Sequence, residues 1–581
     1  MKRKIMHSIL AGILILSMLC GCAAPAARTQ SVPSARPETQ ARETMAVETA
    51  PTPSPAPERT TEEISFSDGV HADLHYADMR WQIYDMTAFR EKADRLSAAS
   101  DAEEAQELLD WLWEEYRRLD TWYNLIQIEF YAGNGLDGAL ADALQQTDEM
   151  LTEAGDTLYS AVSRALEGAA GEALSGYLGE SAAEAYADYE EMTDREIELW
   201  NRESELEIAY DSLLSQDDLS EPSLNYRVGS ILLELVSIRN ELAELYGYDS
   251  YADYAYEAFY GRDFTPADAQ RLCDAVKPYA RRYYRDCYYS DAFQHSVSGF
   301  SAGELMDLLR EYAQRISPRA VQAQQYMEDH GLYMLDMAGV IYDTGYTTTL
   351  SLYNAPFLYN CLYGNFYDFT DTFHEFGHYY DAYINPEPED VEYSASYDIF
   401  EIHSTSLEGL MYSWYDEVFG SEAETARIWC LDHMIESVIY GCIFDEFQQY
   451  VYANPDLTVE QINMVYRTIA ESYGREFYNS SDSFGWMYVG HNISSPFYYL
   501  SYAVSILASL QLWSLAQDDL PAAIEKYNEL VEKGAYEIGY CQLMREMDMA
   551  LFTEDLDACI ARPLQTLRAL CADYDRRAAA A

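Results

Sequence analysis

Apolar residues recur with a helical period from about Leu74 almost to the end of the chain. In "AQELLDWLWEEYRRLDTWYNLIQ", Leu108, Leu109, Leu112, Tyr116, Leu119, Tyr123 and Ile126 fall on one stripe, the mark of a helix with one buried face. "EPSLNYRVGSILLELVSIRNELAELYGYDS" predicts a helix that starts after Pro222 and stops near Gly247. "LPAAIEKYNELVEKGAY" predicts another. No alternation of strand and helix and no fixed-period repeat is visible. The clearest strand candidate is "TTTLSLYNAPFLYNCLYG", with a turn expected at Gly364 and Asn365. The pattern predicts a mainly α chain with one small sheet.

The first 62 residues break this pattern. Lys2, Arg3 and Lys4 precede a short apolar run from Ile9 to Leu19, too short for a comfortable membrane span. That layout predicts a secretory signal. Its end, Leu19-Cys20-Gly21-Cys22, resembles the lipobox of bacterial lipoproteins. The resemblance implies cleavage before Cys22 and a lipid on its thiol, hence a chain anchored on the outer face of a bacterial membrane. Residues 22–62 are rich in Ala, Pro, Thr, Ser and Glu, cannot build a core, and are expected to form a disordered tether.

Charge and cysteine content narrow the classes further. The 581-residue chain carries 37 Lys and Arg against 99 Asp and Glu, a formal charge of −62. A surface of that sign repels phosphate backbones, so nucleic acid is excluded as a partner. Two of the ten cysteines lie in the signal region, and the other eight are scattered without a close CxxC pair. That spacing argues against a cysteine zinc site and leaves disulfide pairing open.

The chemistry concentrates in His374-Glu375-Phe376-Gly377-His378. On a helix, residues four apart share a face, so both imidazoles can reach one ion. Glu375 lies beside His374 and can point at a water on that ion, the HExxH arrangement. A tetrahedral Zn²⁺ then needs a third protein ligand and an open position. Two incidental histidines are the bland alternative, but only ten histidines occur in the chain. Downstream, Glu401, Ser404 and Glu408 in "EIHSTSLE" fall on a single helical face. Glu401 could ligate, while Glu408, two turns on, could reach a histidine N–H. His403 points elsewhere on that helix and is expected to be a core or surface histidine.

The segment Phe373–Glu408 resembles the thimet oligopeptidase and oligoendopeptidase F group of zinc peptidases, through HEFGH followed by E-I-H-S-T-S-L-E. "SIRNELAELYGYDSYADYAYE" (237–257) and "GHNISSPFYYLSYA" (490–503) extend the resemblance to roughly half the chain. It implies a mainly α, two-lobed fold with a deep channel and a small β-sheet near the active site. Carried over, His374, His378 and Glu401 become zinc ligands, Glu375 the general base and Glu408 the supporting carboxylate. His491, Tyr498 and Tyr502 become substrate and oxyanion contacts. Asp381 departs from the pattern, standing where the group often has a further His; it shares the face of His374 and His378 and either supports the ligands or, the preferred reading, is solvated. "APFLYNCLYGNF" is either an edge to which a peptide substrate adds as a strand or an internal hairpin.

The expected organisation is a signal peptide (1–21), a tether (22–62), an N-terminal helical domain (63–205) and a catalytic domain (206–581). The expected function is zinc-dependent hydrolysis of short peptides, the only cofactor being Zn²⁺ and the membrane met through the lipid anchor. A helical zinc exopeptidase and a non-catalytic peptide-binding lipoprotein are the alternatives. An intact Glu375 argues against the second, because binding alone needs no base.

Overall fold

The computed structural model describes residues 75–580 except 133–136, 188–191, 215–219, 338–344, 387–395 and 553. The signal peptide, Cys22 and the tether lie outside the described residues.

Numbering the α-helices of eight residues or more, the chain opens with α1 (Thr87–Ser97), α2 (Ala102–Ala132), α3 (Gly138–Glu167), α4 (Gly171–Leu178) and α5 (Glu180–Ala187). These pack around a small core that includes Phe89, Leu96, Leu112, Leu158, Val162 and Tyr186. Then follow α6 (Asp194–Leu214), α7 (Glu221–Leu245), α8 (Pro266–Asp286), α9 (Ala302–Ile316) and α10 (Pro318–His330). After a sheet come α11 (Phe366–Ile384), α12 (Tyr397–Met411), α13 (Ala423–Ala453), α14 (Val459–Ser472), α15 (Tyr499–Ala516), α16 (Leu520–Lys533) and α17 (Leu556–Ala580). All of these from α6 onward bury their apolar faces in one second, larger core. Leu199 and Tyr210 of α6 belong to it, so a boundary at residue 205 falls inside a helix of the larger core.

The helix α2 serves both cores. Leu108, Leu109 and Leu112 pack into the smaller one, and Leu125 and Ile128 into the larger. Of the stripe read in the sequence, only Tyr116 is not buried. Its C-terminal half is also bonded to the sheet. Thr348 Oγ1 donates to Asn124 Oδ1 (2.8 Å), Leu352 N to Thr121 Oγ1 (2.9 Å), and Ser351 to Asp120.

Among the described residues the sheet has three strands, β1 (Tyr333–Met337), β2 (Gly345–Leu350) and β3 (Ala355–Leu362), in the order β1-β3-β2. β1 runs parallel to β3, and β2 antiparallel, with Tyr346 opposite Tyr359 and Thr347 opposite Leu358. The strand candidate "TTTLSLYNAPFLYNCLYG" therefore splits in two. Its second half, β3, is the central strand and is buried throughout, so it cannot offer an edge to a peptide. The edges are β1 and β2. The Gly364-Asn365 turn hands β3 directly to α11. Asn365 caps that helix through Tyr367 N (2.9 Å). The buried Asp368 carboxylate collects the N–H groups of Tyr363 (2.5 Å), Gly364 (2.7 Å) and Asn365 (3.1 Å). Each is a donor that the helix itself cannot satisfy.

Among the described residues, one helix, α15, is long and apolar enough to cross a membrane by length and composition. Here it is a central core helix, packed against α12, α13, α16 and α17. A helix surrounded by other helices is apolar on every side for that reason.

Candidate metal centre

Two helices cross to make the centre. α11 carries His374, Glu375 and His378, and α12 carries Glu401 and Glu408. They can approach because Gly377 has no side chain. A Cβ there would stand 2.6 Å from Ser404 Cα and 2.9 Å from the His403 carbonyl oxygen. Gly377 lies between the two histidines, so the point of closest approach is the centre of the ligand set.

His374 Nε2 stands 3.4 Å, and His378 Nε2 3.7 Å, from Glu401 Oε2. Ligand atoms of all three residues lie within 4.8 Å of one another. Bonds of about 2.0–2.2 Å to a tetrahedral ion put neighbouring ligand atoms about 3.4 Å apart. The two imidazoles and one carboxylate thus fit a Zn²⁺ ion both in spacing and in donor chemistry. His374 Nδ1 faces Glu408 Oε1 at 2.6 Å, which assigns the ring proton to Nδ1 and leaves the Nε2 lone pair aimed inward. The remaining contacts hold Glu401: Tyr498 OH donates to its Oε1 (2.8 Å) and Ser404 Oγ to its Oε2 (3.2 Å).

The electrostatics agree with ligand roles. Burial pushes the Glu401 carboxyl upward, but the flanking His374 and His378 imidazoles and the Tyr498 hydroxyl oppose it and hold it at about 2. Burial lowers His378 to about 4, so at neutral pH its ring is uncharged and its lone pair available. Glu375 is buried against β2. Thr347 Oγ1 lies 3.0 Å from its Oε2 and 2.9 Å from its main-chain carbonyl. Burial raises its carboxyl to about 7, opposed by His374 and Thr347. A carboxylate with that affinity can both take a proton and return it. Gly345, at the start of β2, allows this contact: a Cβ there would stand 2.9 Å from Asn360 Oδ1 and 3.3 Å from Glu375 Oε1.

His491, Tyr498 and Tyr502 come together from the turn before α15 and its first residues. The His491 ring stacks on Tyr498 at 5.2 Å and 15°, and Tyr502 stands edge-on to Tyr498 at 5.3 Å. Burial lowers His491 to about 4. The structure thus places Tyr498 differently from an oxyanion donor alone, since its hydroxyl rests on the third ligand.

One expectation about the centre needs correction. Asp381 is not solvated: it is buried, 3.1 Å from His403 Nδ1, and its other oxygen accepts from Asn385 Nδ2 (2.7 Å). His403 is accordingly a core histidine, paired across the two helices of the centre. Sequence reading also passed over Thr347 and Arg262. Thr347 sits in a run of three threonines that gives no reason to prefer one. Arg262 is buried 136 residues from its carboxylate partner, Asp398.

No family model and no curated protein matches the chain. Solved structures do. A protein provisionally assigned as an oligoendopeptidase F is 22% identical, with a TM-score of 0.69, covering 87% of this chain and 100% of that one. PZ peptidase A, solved with an inhibitor, is 20% identical with a TM-score of 0.69, covering 86% of this chain and 99% of its own. A protein of Bacillus anthracis, also provisionally assigned as an oligoendopeptidase F, is 20% identical with a TM-score of 0.67, covering 87% and 99%. The chain has the fold of these oligoendopeptidase F-like structures over almost their whole length.

Proposed function

We propose that the chain is a zinc-dependent endopeptidase that hydrolyses short peptides on the outer face of a bacterial membrane. The observation that carries the reading is the convergence of His374, His378 and Glu401 on one point, with the buried carboxylate of Glu375 beside it. His374 Nε2, His378 Nε2 and the Glu401 carboxylate would hold Zn²⁺. When bound there, Zn²⁺ would polarise the scissile carbonyl and acidify a water molecule. Glu375 accepts that water's proton and passes it to the leaving amine. Thr347 hydrogen-bonds the Glu375 carboxylate and restrains it. Glu408 fixes the tautomer and orientation of His374. His491 and Tyr502 donate hydrogen bonds to the developing oxyanion. Tyr498 steadies Glu401 and can share in that task when it turns from the ligand. The fold shared with PZ peptidase A supports a peptide as the substrate, and the Leu19-Cys20-Gly21-Cys22 stretch supports the membrane location.

The test is metal content of the purified mature chain together with turnover of an internally quenched peptide, followed by mass spectrometry of the products. One Zn²⁺ per chain and internal cleavage are expected. Release of only terminal residues or dipeptides would make it an exopeptidase. Peptide binding without cleavage, in the zinc-loaded chain, would make it a binding protein.

A further inference from the structure

Arg262 lies in the segment leading into α8, and it is buried with its guanidinium against the rings of Tyr256 (4.4 Å) and Tyr260 (4.7 Å). It touches neither the metal ligands nor Glu375 through any contact described above. Instead it grips the two backbones that carry Glu401 and Tyr498. Its Nε faces the buried carboxylate of Asp398 at 3.3 and 3.4 Å. Asp398 precedes Glu401 by three residues on α12 and so shares its face. Its Nη2 donates to the Phe497 carbonyl (3.0 Å) and to Ser501 Oγ (3.0 Å), one residue before and three residues after Tyr498.

Phe497 explains why such a grip is needed. Its φ is +73°, in the left-handed region that a bulky aromatic residue avoids. A residue stays there only when its surroundings over-determine it. Three partners do so. Gln448 Oε1 accepts from Phe497 N (2.7 Å), Tyr260 OH donates to the Pro496 carbonyl (2.8 Å), and Arg262 holds the Phe497 carbonyl itself. Of the three, Arg262 also ion-pairs with Asp398 of α12, a helix that Tyr260 meets through the ring of Tyr397. The strained turn sets the direction in which Tyr498 leaves the backbone, and Tyr498 OH ends 2.8 Å from Glu401 Oε1.

The geometry points to Arg262 as a positioning residue that holds the Tyr498–Glu401 hydrogen bond in register from both sides, and so sets how tightly the third ligand binds the metal. This rests on the reading of the centre as a zinc site. Lysine at this position keeps a charge for Asp398 but lacks the planar fork that serves three acceptors at once.

The test measures the zinc dissociation constant of the full mature chain by competition with a chelating dye, for Arg262→Lys, Tyr498→Phe and the double variant. Supporting contacts to a metal ligand are typically worth about 10–100-fold in affinity. Tyr498→Phe should weaken binding by about tenfold, and Arg262→Lys by a similar factor. The double variant should be no more than about twofold weaker than the worse single one, because both act through one bond. Ser501→Ala, which removes an acceptor of Arg262 and a hydroxyl bonded to the Asp398 carboxylate but leaves both charges in place, should give a smaller loss, also non-additive with Tyr498→Phe. It keeps the test decisive where Arg262→Lys fails to fold. Zinc affinity unchanged by Arg262→Lys or Ser501→Ala, or losses that multiply with Tyr498→Phe, would reduce Arg262 to a structural ion pair and overturn the proposal. In that case Tyr498→Phe still weakens binding and the site reading stands. A wild-type chain that binds no zinc would overturn both.

Discussion

Placing a methyl group at Gly377 tests whether the crossing of α11 and α12 is what builds the metal centre. In Gly377→Ala the new Cβ would stand 2.6 Å from Ser404 Cα, 2.9 Å from the His403 carbonyl oxygen and 3.1 Å from Ser404 N. All three are main-chain atoms, so no rotamer change relieves them. Ordinary contact begins at 3.4 Å, so the helices must part by about 0.8 Å at the crossing. Passed on in full, that movement widens the 3.4 and 3.7 Å gaps between the imidazoles and Glu401 to about 4.2 and 4.5 Å. Three ligand atoms so spaced no longer fit bonds of about 2.0–2.2 Å to one ion. The 2.6 Å contact of His374 with Glu408 stretches beyond hydrogen-bond length as well. Zinc affinity should therefore fall by about 10² or more, since both a ligand and its support are displaced. Turnover at saturating zinc should fall by about 10², the usual cost of misplacing reacting groups by about 1 Å. Overpacking should also cost about 1–3 kcal/mol of stability. Chelator competition, peptide turnover in excess zinc and thermal unfolding measure the three effects. Gly409→Ala is the control: it lies on α12, the other helix of the crossing, but its Cβ would meet nothing nearer than 3.6 Å. It should bind zinc normally and gain up to about 1 kcal/mol in helix propensity. Gly377→Ala with wild-type zinc affinity and turnover would refute the argument that close backbone approach sets the ligand geometry.

The remaining predictions separate roles within the centre. Glu375→Gln should lower turnover by about 10²–10⁴-fold while zinc content and peptide binding persist, whereas His491→Ala should lower kcat by about 10²–10³-fold through a lost oxyanion donor. If Glu375→Gln stayed within tenfold of wild type while His491→Ala abolished activity, Glu375 would not be the base. Glu408→Ala should weaken zinc binding by about 10–100-fold without touching a ligand, because the Nδ1 proton of His374 loses its acceptor; unchanged affinity would show that the tautomer is fixed in another way. Cys22→Ser should release the chain from membranes or leave it unprocessed, and unaltered fractionation and processing would mean that the anchor lies elsewhere.

Much of the centre was legible because its signals are local. Two histidines four apart and two glutamates seven apart each define a helical face, and the faces meet as expected. α7 begins at Glu221 with Pro222 in its first turn and ends at Leu245, as the Pro and Gly punctuation predicts. What stayed hidden depends on which second element covers a face. Asp381 looked solvated because its partner, His403, sits on another helix. Arg262 has no periodicity to mark it, and its meaning lies in a turn 235 residues away. The central position of β3 had a signal, a run of apolar residues without alternation, which is how a strand buried on both faces reads. Tyr359, Asn360 and Cys361 masked that run.

The double membership of α2 bears on how the protein can be divided. A fragment beginning at residue 206 would keep every ligand of the metal centre yet lose Leu125, Ile128 and Leu199 from the core beneath it. It would also leave Thr348 and the Leu352 N–H beside the sheet without their acceptors on α2. Cutting after α5 would spare Leu199 but still remove α2, which comes earlier in the chain. The two cores are thus not two modules that evolution or a cloning strategy could exchange at a linker. The smaller one is built around a rod whose far end is sunk in the larger, and a graft of the catalytic part would have to bring that rod along.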